Sequence, residues 1–412
     1  MGLRVARVDA AQGEGAYYND DLLAIRAGAP KDGLVYGGEP VTPGLTAVRR
    51  PAQALLLRIE TAAGAVGWGD AMSVQYAGVG GRDLPVDAAA LAGEVEAAAA
   101  LLVDAGEVGF RAGSDLIDAH RLPDGRQLHT ALRYGLSQAL LAAEAAERGV
   151  TPLRVLADET GLADPVLAPV YAQSGDDRRL NADRMILRRV DVLPHGLFNS
   201  TAAFGADGGA FLDYVRWLVA RIEQVGGEGY RPRLHLDVYG MLGLVMDGDV
   251  GRMAAYLDEV EALAGGLPVA IESPCLGDDT ATTIELLAAL RARLAEQGTR
   301  VQLVADEFCN GDEDVAAFVA AGAVDQIQIK MPDLGCLTEA LKAAAACRAG
   351  GLGVFIGGSC AETDLSAQLS AQLAMAVSAD QVLAKPGMGV DEGIMIVRNA
   401  MRRALVEWQR GR

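Results

Sequence analysis

RLHLDVYG (233–240), PVAIESP (268–274), VQLVADE (301–307) and VDQIQIK (324–330) share one design: a short apolar run gives way to a charged residue, in turn Asp237, Glu272, Asp306 and Lys330. The three carboxylates lie 35 and 34 residues apart, close to the length of one strand–helix unit. Similar runs precede them at APVYAQ (168–173) and RVDVLPH (189–195), and follow them at GVFIGG (353–358) and QVLAKPG (381–387). Eight β-like runs alternating with helical stretches predict a (β/α)8-type barrel. The rival, a doubly wound open sheet, is disfavoured by the strand count and by the lack of GxGxxG after the first strand.

Upstream of the barrel the pattern is α+β. AQALLLRIETAAGAVGWGD (52–70) holds a β-type run, a glycine-containing turn and a second short run. Ala- and Leu-rich helices are predicted near 86–105 and 128–148, the second stopped at Arg148-Gly149, with a short helix over 151–160. The expected organisation is an N-terminal α+β capping domain, residues 1–160, and a catalytic barrel, residues 161–412.

A net charge of −19 argues against nucleic acid or an anionic membrane as partner, because either would need basic clusters. No apolar run is long enough to span a bilayer, and MGLRVARVDA lacks an apolar signal core, so a cytoplasmic protein is expected. The cysteines, Cys275, Cys309, Cys336, Cys347 and Cys360, form no CxxC pair and read as reduced thiols. Only Lys31, Lys330, Lys342 and Lys385 are lysines, against thirty-two arginines. Where Arg is the usual cation, a lysine at a strand end invites a chemical reason, since only Lys can readily give up its proton.

Catalytic groups of a barrel sit at the carboxyl ends of its strands. Three carboxylates converging there would repel unless a cation neutralised them, and all-oxygen ligation suits Mg²⁺. Glu307 is an alternative ligand, but strand alternation sends it to the opposite face from Asp306. A proton beside a carboxylate is very weakly acidic; Mg²⁺ on that carboxylate would stabilise the charge left when it departs. Lys330, its pKa lowered by such a cation, is the expected base. His195, four strands around the ring, would face the other side of the substrate carbon as acid, second base or donor. His120, His129 and His235 read as structural, His235 deeper in the barrel than Asp237.

This arrangement resembles the enolase superfamily. More narrowly, VQYAGVGGRD (74–83), AQSGDDR (172–178), MILRRVDVLPHG (185–196), LHLDVYG (234–240), VADEFCN (304–310), QIKMPDLG (328–335), GGSCAET (357–363) and KPGMGVDEG (385–393) are similar to the methylaspartate ammonia-lyase family across both expected domains. The resemblance implies a Mg²⁺-dependent elimination of ammonia from (2S,3S)-3-methylaspartate to give mesaconate. Asp237, Glu272 and Asp306 would hold the metal, Lys330 would take the C3 proton and His195 would serve the 3R epimer. Gln75, Gln173, Gln328, Ser359 and Cys360 would bind the carboxylates and amino group. Leu383 would shape the methyl pocket with Tyr171 at its wall, and Gly357 and Gly358 would admit close backbone approach. A homodimer and a K⁺ requirement are further family expectations, with glutamate catabolism or the reverse amination in biosynthesis as the setting. Ser359, Phe355 and Tyr171 depart from the family's Thr, Tyr and Phe, which bears on the methyl pocket. The alternatives are another enolase-type reaction (cycloisomerase, racemase or acid-sugar dehydratase) and a non-catalytic barrel that binds a dicarboxylate or scaffolds a partner. The first lacks its KxK on the second strand, or its His on the seventh.

Overall fold

The computed structural model describes residues 2–79, 81–175, 177–384 and 386–411. The chain begins with β1 (Leu3–Asp20), β2 (Lys31–Asp32), β3 (Val35–Tyr36), β4 (Arg49–Thr61), β5 (Val66–Met72) and β6 (Glu107–Val108). Four of these form an antiparallel sheet in the order β5-β4-β1-β6, while β2 and β3 make a small hairpin. In β4, Leu55, Leu57, Ile59 and Thr61 are buried and the residues between them less so, the period-two signature of a sheet with one face covered. The cover is the helix Thr130–Arg148, which ends on Gly149 in the left-handed region (φ 63°). It lies almost on the sheet's backbone: a Cβ added at Gly69 would fall 2.1 Å from the Gly135 carbonyl oxygen. Helices Ala92–Asp104 and Pro152–Thr160 match two further expectations, the first starting later than the sequence suggested. Before it, Asp87 Oδ1 accepts from the Ala89 and Ala90 amides at 3.0 and 3.1 Å, holding that segment in turns.

The barrel is made of β7 (Val170–Ala172), β8 (Val192–His195), β9 (Arg233–Asp237), β10 (Val269–Glu272), β11 (Gln302–Ala305), β12 (Gln326–Ile329), β13 (Gly353–Ile356) and β14 (Gln381–Ala384). The strands pair in chain order, all parallel, and β14 returns to β7 to close the ring. The expected (β/α)8 barrel is therefore present, in an α/β chain that begins with an antiparallel sheet. Tyr171, Val192, Ala270, Val304, Phe355 and Leu383 fill the inside of the ring as one buried cluster. The chain closes with the amphipathic helix Val390–Arg410, whose buried face runs from Val390 to Trp408. Among the described residues, no helix is long and apolar enough to cross a membrane.

Candidate active site

A pocket at the carboxyl ends of the barrel strands is lined by Gln75, Gln173, His195, Asp237, Asp306, Gln328, Lys330, Ser359, Cys360 and Leu383, with Val74, Tyr76, Arg82, Tyr239 and Gly358. Ten of the twelve residues expected at the site thus face one cavity. The other two, Glu272 and Tyr171, are completely buried beside it. Glu272 is held in place by a donor on each oxygen: the Gln328 amide to Oε1, and His235 Nε2 to Oε2 at 2.8 Å. Tyr171 lies beneath the lining and not in the pocket wall. It stacks on His235, with ring centroids 4.4 Å apart and planes 18° apart, and meets Phe355 edge-on. Tyr171 and Gln173 share a face of their strand, but the tyrosine sits two residues deeper.

The backbone bends sharply where these side chains are presented. Among the described residues nine non-glycine positions have positive φ, and six are at or just past the barrel strand ends: His195 (67°), Leu197 (51°), Tyr239 (48°), Ser273 (47°), Phe308 (63°) and Cys360 (67°). Such conformations are costly for residues with a Cβ and concentrate where the surroundings over-determine them, often at functional sites.

His195 Nε2 stands 3.3 Å from Asp237 Oδ2, and the Gln173 amide nitrogen is 2.9 Å from His195 Nδ1. His195, Asp237 and Glu272 each offer a ligand atom, and those atoms lie within 4.8 Å of one another. Asp306, expected in the same group, is instead engaged by Lys330, whose Nζ is 2.7 Å from its carboxylate. Burial pushes the Glu272 carboxyl well above the usual range, and the neighbouring charges of Asp237 and Asp306 push it further. Burial likewise raises Asp306, to about 6, against the pull of Lys330. Crowded, desolvated carboxylates of this kind are the donor set a hard divalent cation would relieve, so the residues fit Mg²⁺. Lys330 departs from the lowered pKa expected of it. Burial lowers it, but Asp306, Glu307 and Asp333 outweigh burial and Arg82, leaving the amine above its ordinary value. The expectation assumed a cation beside the amine; among the chain's own groups Lys330 faces carboxylates.

The Ser359 hydroxyl accepts from the Ala361 amide at 3.1 Å, and its carbonyl accepts from the Gln75 amide at 2.8 Å. Gln75 Nε2 donates to Asp20 at 2.8 Å. Cys360 Sγ lies 3.9 Å from Gln173 Oε1. Gly357 makes room for a side chain: a Cβ there would lie 2.3 Å from Gln328 Oε1. Glu307 turns away from the metal-capable group and pairs with Arg82 at 3.0 Å. Lys385, within KPGMGVDEG, lies outside the described residues. His129 is structural, accepting from the Ala131 amide as a helix N-cap. Arg82, Tyr76 and Tyr239 were not anticipated at the site. Arg82 and Tyr76 stand inside VQYAGVGGRD, where a glycine-rich loop ending in a lone arginine was the available signal.

The methylaspartate ammonia-lyase N-terminus family matches residues 3–161, and the C-terminus family residues 164–410. A methylaspartate ammonia-lyase of Haloarcula marismortui is 43% identical over 410 residues, 98% of this chain and 97% of that protein. The crystal structure of β-methylaspartase from Clostridium tetanomorphum as its Mg complex is 40% identical and superposes with a TM-score of 0.92 over 99% of this chain and 100% of that one. The structure of Citrobacter amalonaticus methylaspartate ammonia lyase containing (2S,3S)-3-methylaspartic acid is 40% identical, with a TM-score of 0.95 over 98% of this chain and 100% of that one.

Proposed function

Given that the chain belongs to the methylaspartate ammonia-lyase family and is a carbon–nitrogen lyase, we propose that it eliminates ammonia from (2S,3S)-3-methylaspartate to give mesaconate. In this reading Asp237, Glu272 and Asp306 hold Mg²⁺, which supplies positive charge to the substrate carboxylate whose α-proton is removed. Lys330, as the free amine, accepts the C3 proton; the electron pair forms the C2–C3 double bond and the C2–N bond breaks, releasing the amino group as ammonia. His195, on the opposite side of the ring, faces the other side of C3 and takes the proton of the 3R epimer. Gln173, Gln328, Ser359 and Cys360 orient the two carboxylates and the amino group, with Gln75 completing the set from the capping loop. Leu383 bounds the space for the 3-methyl group.

The observation that carries this reading is the placement of Lys330 and His195 on opposite sides of one pocket, with the three carboxylates on the consecutive strand ends between them. The test is ultraviolet absorbance of the conjugated diacid on adding each 3-methylaspartate epimer with Mg²⁺, with EDTA as control. Lys330→Ala should abolish turnover of the 2S,3S substrate and retain some on the 3R epimer. Equal loss on both would remove the two-base assignment, and turnover unaffected by EDTA would remove the metal.

A further inference from the structure

Arg82 ties the loop after β5 to the two strand ends bearing Asp306 and Lys330. It lies in the segment after β5 that also carries Gln75 and Tyr76, and its side chain is only 3% exposed. Nε donates to Asp333 Oδ2 at 2.7 Å and Nη1 to Glu307 Oε2 at 3.0 Å. Glu307 directly follows Asp306. Asp333 sits one turn beyond Lys330, and its amide donates to the Lys330 carbonyl at 3.0 Å. One planar guanidinium therefore bridges the outer sides of two neighbouring strand ends, while their inner sides carry the Lys330–Asp306 pair at 2.7 Å. A lysine, with a single charged nitrogen, cannot reproduce that fork. The same side chain also stands between the catalytic pocket and a second polar cavity of ≈ 370 Å³, bounded by Asp118, Arg133 and Asn310 among others.

We propose that Arg82 is a positioning residue for the lyase reaction: it latches the 74–83 loop onto the barrel mouth and sets the relative placement of Asp306 and Lys330. This rests on the roles proposed above for those two residues. Its carboxylate partners lie in both strand-end segments, so losing the guanidinium frees this part of the loop from them and lets the two ends shift relative to one another. Displacement of a base by about 1 Å can cost on the order of 100-fold in turnover.

The test uses Arg82→Ala and Arg82→Lys, followed by three measurements. Diacid formation should fall on the order of 100-fold in kcat for Arg82→Ala, with a smaller change in KM. Millimolar guanidinium should restore much of that loss, and the lysine variant should not match the rescue. Hydrogen–deuterium exchange should quicken in residues 74–83 while the helix Thr130–Arg148 stays protected. A folded Arg82→Ala with unchanged kcat and unchanged loop exchange would overturn the proposal, as would a loss that guanidinium does not relieve and that only tracks the folded fraction. If Arg82→Ala does not fold, Asp333→Asn, which removes one arm of the bridge, decides by the same exchange and kcat readouts. If the unaltered protein makes no diacid, the functional reading fails on its own, while the exchange comparison still decides the latch.

Discussion

Replacing His235 by Phe isolates what holds Glu272. His235 is wholly buried, and both ring nitrogens are engaged: Nε2 with Glu272 Oε2 at 2.8 Å, and Nδ1 with the Gln381 amide nitrogen at 2.7 Å. With Gln381 donating to Nδ1, the ring hydrogen is on Nε2 and points at the glutamate. Burial, and next the proximity of His195, hold the imidazole well below the ordinary histidine pKa, so this tautomer is neutral. Phe keeps an aromatic face for Tyr171 to stack on and removes both hydrogen bonds. Two buried polar groups, Glu272 Oε2 and Gln381 Nε2, then lack partners. At about 1–3 kcal/mol each, the loss is about 2–6 kcal/mol, a large part of the about 5–15 kcal/mol that stabilises a typical domain. Freed on one side, Glu272 can rotate, and loss of such a supporting bond costs about 10–100-fold in metal affinity. Urea unfolding followed by circular dichroism gives the first quantity, and calorimetric titration with MgCl₂ gives the second. A destabilised variant with unchanged Mg²⁺ affinity would rule out this supporting role for His235, because Glu272 would then be either correctly placed without it or not a ligand.

Asp21 offers a test of the N-terminal region. Its wholly buried carboxylate accepts from the amides of Leu23, Ala24, Val41 and Thr42 and from the Thr42 hydroxyl. Burial raises its pKa, but those donors outweigh burial and hold it below the usual value. A depressed carboxyl stabilises fully above its unfolded pKa of about 4 and loses that contribution as pH falls through the lower folded value. Asp21→Ala should therefore cost about 2–4 kcal/mol at neutral pH and progressively less below about pH 4; a cost independent of pH in denaturant titrations would contradict the assignment. Of the five thiols, Cys360 alone is partly exposed, while burial pushes Cys275 up to about 12 and Cys347 to about 11. A thiol reagent should modify one cysteine of the folded protein, and mass mapping to any residue other than Cys360 would count against the packing described.

The barrel was legible because its strands are short and mostly apolar, all but β13 closed by a polar or charged residue, and because the carboxylates recur at the length of one strand–helix unit. β1 was not legible for the opposite reason. Of its eighteen residues only Leu3, Val5, Asn19 and Asp20 are buried, so LRVARVDAAQGEGAYYND carries almost no alternation. The helix Phe110–Ala119 was also missed, since Gly113, Ser114 and two aspartates lower its helical propensity. Gly113 is there for contact: a Cβ at that position would meet Leu140 at 2.8 Å. Arg82 was out of reach of any local pattern, because its two partners lie 225 and 251 residues along the chain. The lysine count directed attention to Lys330 for chemistry, and equally hid the buried work of arginine, the cation used throughout.

Strand periodicity says which way a side chain faces and leaves its depth open, and depth separates the pocket from its support. Ala270 lies two residues before Glu272, Val304 before Asp306, Phe355 before Gly357 and Tyr171 before Gln173. Each earlier residue belongs to the buried cluster inside the ring; each later one is at the mouth or directly beneath it. Two residues advance a strand by roughly 7 Å, so one layer of packed side chains forms the floor on which the polar layer stands. His235 belongs to that floor by position, two residues before Asp237, yet it is polar and reaches up to Glu272. A polar group is costly at that depth unless fully partnered, and Gln381 and Glu272 provide those partners. Its presence among the apolar residues of the floor is explained by the carboxylate above it, which an apolar floor residue could touch but could not orient.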